Sequence, residues 1–324
     1  LMAYASENYG ENYVLMYKRP GEDPSIAKVE KPQNTPVHLN RGKQSPYYEN
    51  FSTISSGEIQ PLFVNYKEEI KESELKNGLE VSYIENKTND LFSLNIIFDM
   101  GSDHDKKLAL AVAYMDYVGT DQLSPDEVKK EFFKLGINYG VNTGSERSYV
   151  GLSGLQENMD KGLVLLENLW DNAKADQESY DKFVEKMLKA RVDGKAQKDN
   201  ILWNGMLMYG DYGEQSRLRD IYSADELQKM DPNELIQMVK DLKGYKQRIF
   251  YYGNDIESTI SALNNSHQVP TELKNYPEPK KFPQIATGNQ VNFVDFDMVQ
   301  AEIILVSKGD QFDAEKMAYA EVFN

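Results

Sequence analysis

Apolar and polar residues alternate from Leu79 to Glu85 and again from Leu91 to Phe98, with a polar turn at 86–89 between them. Alternation with a period of two predicts strands, and the short loop holding Lys87 and Thr88 predicts that the two pair as a hairpin. Asp99–Asp105 reads as the next turn, and the strongly apolar run Leu108–Val118 as a buried helix. Ser124-Pro-Asp-Glu127 is a helix start, with Ser as cap, Pro in the first turn and Glu127 able to reach back. That helix runs to Leu135 and stops at Gly136. Ile137–Asn142 and Tyr149–Leu152 predict two further strands around a turn at Gly144.

The period then changes. Leu163, Leu166, Leu169 and Trp170 fall on one face of a helix over Met159–Ala173, and Phe183, Met187 and Ala190 on one side of another over Tyr180–Gln197. Ile201–Met208 reads as a third helix. Ser223–Glu226 and Asp231–Glu234 read as capping boxes opening two more. Gln247–Tyr252 is a strand ending at Gly253, and a helix fits Ile256–Leu263.

The flanks differ. Tyr13–Tyr17 predicts one short strand. From Lys18 to about Ser73 the periodicity fades, and this stretch holds half of the twelve prolines, so it reads as a linker. Residues 265–290 carry four prolines and read as a second linker. Val291–Phe296 and Ala301–Val306 predict another strand pair, followed by a helix from Phe312. Strands in adjacent pairs and helices in runs give an α+β class with an antiparallel sheet packed against helices. The expected organisation is an end strand plus Pro-rich linker over 1–73, a domain over 74–264, a linker over 265–290 and the start of a second domain with the same element order over 291–324. The sequence has no basic or apolar leader at its start and reads as a fragment of a longer polypeptide.

Composition narrows the chemistry. The formal net charge of −16 disfavours a nucleic-acid partner. There is no cysteine, which removes disulfides, thiolate metal sites and a cysteine nucleophile. No apolar run is long enough for a transmembrane segment. His38, His104 and His267 are isolated in sequence, so no pair four apart exists for a helix-borne zinc site, and each reads as a surface or loop histidine. Asp103-His104-Asp105 is the most site-like tripeptide; its structural reading is a polar turn with Asp at a helix N-terminus. No Gly-x-Ser-x-Gly elbow and no phosphate-binding glycine loop is present. The 21 tyrosines, dense around Tyr209–Tyr212 and Tyr251–Tyr252, suit either core packing or a peptide-contact surface.

From Phe98 to Leu155 the chain resembles the pitrilysin/insulinase family of metallopeptidases, the inverted zincins. The frame is carried by Phe98-Asp-Met-Gly101, the apolar helix, Tyr117-Val-Gly119-Thr120 and Gly151-Leu-Ser-Gly-Leu155. Anchored on Gly119-Thr120, the family's two histidine positions fall on Leu110 and Tyr114 and its catalytic glutamate on Ala113. The third ligand, a glutamate on a later helix, falls near Arg191, with Glu185 and Asp193 close by. The resemblance therefore implies no catalytic, cofactor or metal residue in this segment. It implies a degenerate, non-catalytic C-terminal half of a zinc metallopeptidase of the large bacterial two-half kind, with zinc in the other half. Its implied partners are a peptide substrate and the catalytic half of the same polypeptide, and its implied setting is periplasmic or otherwise exported. The alternative is a non-enzymatic assembly or peptide-binding subunit of the same fold. A third reading, an independent metal or sugar enzyme built on His104 and nearby acids, stands beside both.

Overall fold

In the strand Leu91–Phe98 every second side chain is buried: Phe92, Leu94, Ile96 and Phe98 face the core, while Ser93, Asn95 and Ile97 are half-exposed. This single-face burial sets the architecture of the computed structural model, which describes residues 65–285 continuously, most of 42–63 and 288–323, and a few positions before Gly42. The chain divides into two units, Leu1–Leu62 and Phe63–Asn324. Among the described residues of the first lies one helix, α1 (Pro46–Ser52), capped by Ser45 and with no buried residue. Of the strand expected at Tyr13–Tyr17, only Val14, Met16 and Tyr17 are among the described residues, and they are exposed and carry no regular structure.

The second unit opens with a helical turn, α2 (Tyr66–Glu69), and the strands β1 (Lys71–Glu74), β2 (Glu80–Glu85) and β3 (Leu91–Phe98). Helices α3 (Lys106–Tyr114) and α4 (Pro125–Lys134) follow, then β4 (Ile137–Thr143) and β5 (Ser148–Leu155). Helices α5 (Met159–Asn172) and α6 (Gln177–Lys195) come next, then a π-helical turn Asn200–Met206 that continues as α7 (Leu207–Tyr212). The unit goes on with α8 (Ala224–Lys229), α9 (Pro232–Asp241), β6 (Arg248–Gly253), α10 (Ile256–Ser266) and, far along, α11 (Met317–Phe323).

Six strands form one sheet in the order β1-β2-β6-β3-β5-β4. The α+β class is as expected, but the sheet is mixed: β6 runs parallel to β2, with Val81 opposite Ile249, and antiparallel to β3, with Ile96 opposite Ile249. The expected β2–β3 hairpin is therefore wrong. The turn at 86–89 is built as Asn86 binding Thr88, Asn89 and the Leu91 carbonyl, and it splays the strands far enough for β6 to enter between them. The β4–β5 hairpin is as expected, with Gly140 opposite Gly151. Strand β1 lies within the stretch read as linker; its Lys-Glu-Ser-Glu sequence carries no apolar alternation, as suits a charged sheet edge.

Helices α3, α4 and α5 pack on the sheet, and α6, α9 and α10 pack against these helices, α6 and α9 on α3 and α10 on α5. Each starts at a residue that caps it, or follows on from a turn. Asp105 accepts from the Lys107 amide, Asp176 from Ser179 and Asp255 from Ser258. The reciprocal boxes at Ser124 and Ser223 form as read from sequence. Asp231 caps α9 through the Asn233 amide, but the box there is not closed: Glu234 pairs instead with Lys107, 2.7 Å away on α3. Gly136 takes φ +65°, the left-handed turn after α4 that a side chain resists. Trp170 packs edge-on against Phe98 and donates its indole N–H to the Val239 carbonyl at 2.7 Å, joining α5, β3 and α9. Burying one side chain of this kind is worth roughly 1.5–3 kcal/mol.

Residues 265–285 have little regular structure, yet they dock. Tyr276 stacks on Tyr245, the Lys246 amide donates to the Lys274 carbonyl and the Lys274 amide to the Gly244 carbonyl, and the Lys280 amide donates to the Asp103 carbonyl at 2.6 Å. The strand pair expected at 291–306 is not formed among the described residues, which are extended and leave Val291, Phe293, Ile303 and Leu305 exposed. Two strands without a third or a covering helix have little stability of their own in water.

Candidate functional site

The Asp103-His104-Asp105 turn connects β3 to α3, and the structure gives each member a separate task. Gly101 lets this turn lie against the β4–β5 turn; a Cβ on it would stand 2.5 Å from the Gly144 carbonyl oxygen. The Ser102 and Asp103 amides donate to the carbonyls of Gly144 and Ser145. Asp103, buried, accepts a two-pronged contact from Arg217, with Nε at 3.0 Å and Nη2 at 2.7 Å. His104 accepts the Gly101 amide on Nδ1 at 3.1 Å, and Asp105 caps α3. Asp103 and His104 thus spend their polar atoms on the fold, which argues against a metal or sugar enzyme centred on this tripeptide. The Asp103-Arg217 pair raises the guanidinium pKa, first through the hydrogen bond itself.

Helices α3 and α6 run side by side and bring the sequence-derived positions into two zones. At one end Tyr114 is fully buried, edge-on to Tyr180 at 5.4 Å and against Phe183 at 5.6 Å. Its hydroxyl donates to the Asp176 carbonyl at 2.9 Å and accepts the Asp176 amide at 3.1 Å. Burial pushes its phenol pKa up, and that of Tyr180 up to about 12, so both remain neutral hydroxyls. Tyr180 donates to the Leu227 carbonyl. Ala113 points outward and is exposed.

At the other end Leu110 and Arg191 line one cleft of about 280 Å³. Arg191 is half-buried and donates to the Tyr222 carbonyl at 2.7 Å. Glu185 is exposed and Asp193 pairs with Lys189 at 2.7 Å, so neither carboxylate near Arg191 lines the cleft. A zinc ion needs imidazole, thiolate or carboxylate donors, usually four in a tetrahedron. Leucine and alanine offer none, the Tyr114 oxygen is engaged by the backbone, and arginine has no lone pair to give. The residues at these four positions do not fit zinc. Among the described residues no group of three or more His, Asp or Glu is placed to hold a metal ion.

The sequence reading missed a second polar centre. His267, expected at the surface, is buried at the end of α10, where its ring lies against Trp170 and between Glu167 and Gln247. Its Nδ1 lies 2.7 Å from Glu167 Oε1 and its Nε2 lies 3.1 Å from Gln247 Oε1. Gln247 keeps its oxygen toward the ring because its amide nitrogen donates to the Lys243 carbonyl. Glu167 Oε2 has no well-angled hydrogen bond, but Lys243 Nζ lies 2.6 Å away and holds it by charge. Lys243 also pairs with Asp171 and sits over the Trp170 ring. Burial pushes the Glu167 carboxyl up; the hydrogen bond and charge of His267, with the charge of Lys243, outweigh it and hold the group below its ordinary value. The signal available in sequence was a glutamate on the apolar face of α5, one turn before Trp170. His38 lies outside the described residues. Of the tyrosine-rich stretches, Tyr251 is buried in the sheet, whereas Tyr209 and Tyr252 are exposed.

No family profile matches the chain. Two curated sequences do: an uncharacterized zinc protease of Rickettsia felis, 25% identical over 141 residues, and its Rickettsia bellii counterpart, 23% identical over 141. Each alignment takes in 42% of this chain and 34% of the relative, so the chain spans about a third of those proteins' length. Among solved structures, the peptidase M16 inactive domain from Pseudomonas fluorescens aligns with a TM-score of 0.52 at 16% identity, over 65% of this chain and 53% of that one. The periplasmic protease PqqL from Escherichia coli aligns with a TM-score of 0.52 at 13% identity, over 87% and 29%. The ferredoxin protease FusC, solved with Arabidopsis ferredoxin, aligns with a TM-score of 0.56 at 11% identity, over 78% and 28%. The fold is therefore that of peptidase M16 domains, as the frame from Phe98 to Leu155 implied. The chain is a pitrilysin-like domain in fold, and its sequence relatives carry the name zinc protease. No helix among the described residues is long and apolar enough to cross a membrane.

Proposed function

We propose that this chain is a non-catalytic domain of a zinc-dependent endopeptidase or oligopeptidase, forming part of the wall that encloses a peptide while a separate, zinc-bearing half cuts it. What supports this reading is the α3–α6 pair: the resemblance assigns the family's positions for zinc and its attacking water to Leu110, Ala113, Tyr114 and Arg191, and none of the four offers a donor free for zinc. The helix is retained and its chemistry is not: Tyr114 has become a core residue pinned to Asp176, and Leu110 an apolar wall. The likeness to an M16 domain described as inactive supports the same reading. An exported setting for the parent protein belongs to it as well, supported by the likeness to a protein described as a periplasmic protease.

The test is zinc loading of the purified chain, followed by gel filtration and metal analysis, beside a variant carrying Leu110→His, Ala113→Glu, Tyr114→His and Arg191→Glu. The chain itself is expected to retain no stoichiometric zinc and to leave a fluorogenic peptide intact; the variant, if folded by circular dichroism, is expected to gain zinc. Tight one-to-one zinc on the unaltered chain overturns the reading.

A further inference from the structure

The cleft between α3 and α6 has a chemical character of its own. Its floor is apolar, with Ala109 and Leu110 from α3, Met187 from α6, and Leu227 and Phe282 opposite. Its polar groups are unevenly matched. Lys106, Arg191 and Arg217 supply three cations, and Asp103 and Asp220 two carboxylates. Asp103 is taken up by Arg217, which also lies flat over the Phe282 ring, 4.6 Å from its centroid. Asp220 is shared by Lys106 at 3.8 Å and Lys280 at 2.7 Å. Among the described residues Arg191 has no carboxylate partner. Its partners are the Tyr222 carbonyl and, at 3.7 Å, the Met187 sulfur, which leaves most of its five N–H donors unused. In a chain of net charge −16, a half-buried guanidinium beside an apolar floor and without an acid is an unbalanced charge.

We propose that this cleft binds a carboxylate carried next to an apolar group, with Arg191 gripping the carboxylate and the Leu110–Met187–Phe282 floor taking the apolar part. A guanidinium matches a carboxylate through two parallel N–H donors, a contact that lysine does not reproduce. The volume, close to the lower end of ordinary ligand pockets at roughly 300 Å³, fits a small group and not an extended polymer. The C-terminal residue of a peptide and a small free carboxylate share this chemistry. The site would serve either whether or not the domain walls a chamber, because its floor and its cation belong to this chain.

Calorimetric titration of the whole chain separates the possibilities. The probes are a pentapeptide ending in leucine with a free carboxylate, the same peptide amidated, N-acetyl-leucine and N-acetyl-leucinamide. Each acid is expected to bind at least about tenfold more tightly than its amide, a difference in the range of a charge-assisted contact. Arg191→Gln is expected to abolish that preference and Arg191→Lys to keep part of it. Leu110→Trp, which fills the floor, is expected to abolish binding of all four with the circular dichroism spectrum unchanged. Tighter binding of the free-acid peptide than of N-acetyl-leucine identifies a peptide C-terminus; equal binding identifies a small carboxylate. Equal affinity for acid and amide, a preference that survives in folded Arg191→Gln, or no saturable binding at millimolar probe overturns the proposal. None of these outcomes depends on zinc or peptidase activity, so they leave the chamber-wall reading to its own test.

Discussion

Two acid–base clusters hold irregular segments onto the helical layer, and they differ in one respect that decides what each does. In the Glu167–His267–Lys243 cluster all three side chains are nearly out of water, at 6%, 0% and 9% side-chain exposure. In the Asp103–Arg217 pair the carboxylate is buried but the guanidinium is 38% exposed, at the mouth of a cleft. An ion pair sealed from water contributes little net energy when intact, yet is costly to break, since the surviving partner is left charged and unsolvated. A pair with one foot in solvent loses less, because water reaches the charge that remains. Burial thus makes the first cluster a structural lock and leaves the second near a surface where a ligand can compete.

The sharpest way to break the contrast is Glu167→Ala. It leaves His267 without its carboxylate and Lys243 with Asp171 alone, and is expected to destabilise the fold by about 3–5 kcal/mol, read from the urea midpoint. Acid gives the next effect. The Glu167 carboxyl has a folded-state pKa below its reference of 4.5, so its contribution is fully present above that value and is lost as pH falls through the lower, folded one. Chemical denaturation followed from neutral pH down to pH 3 is expected to show this loss, and Glu167→Gln, if folded, a flatter profile. The smallest effect is Asp103→Ala, which leaves the charge on the partly exposed Arg217 and is expected to cost about 1–2 kcal/mol. Its penalty is expected to shrink in molar salt, which screens exposed charges, while that of Glu167→Ala stays nearly constant. Equal costs for the two substitutions would remove the distinction.

Helix starts were the most legible part of the sequence. Ser124 and Ser223 form the boxes their spacing announced, because cap chemistry is local. The Asp231 box failed for a non-local reason: Glu234 had a better partner, Lys107, from a different helix. The β2–β3 pairing was misread because alternation marks a strand but not its neighbour, and β6 lies more than 150 residues downstream in the chain, too distant for any turn signal. At the candidate site, the resemblance in sequence assigned Leu110, Ala113, Tyr114 and Arg191 to the family's zinc-site positions. It did not show that Leu110 and Arg191 share one cleft while Tyr114 is withdrawn from it, since that depends on how α6 lies along α3. His267 was missed for a related reason: its burial depends on Glu167 and Trp170 of α5, about 100 residues away in the chain.

The place of β6 in the sheet has a consequence for how the molecule is made. Strand order seats the last strand synthesised in the middle, joined on one side to β2 and on the other to β3. Until Arg248–Gly253 has left the ribosome, β1–β2 and β3–β5–β4 are two separate ribbons, each with an open inner edge able to pair with the wrong partner. Final closure waits for a contact spanning most of the domain, which places this fold among the slower ones to assemble. Nascent chains that stop short of Gly253 should therefore be the ones that chaperones hold.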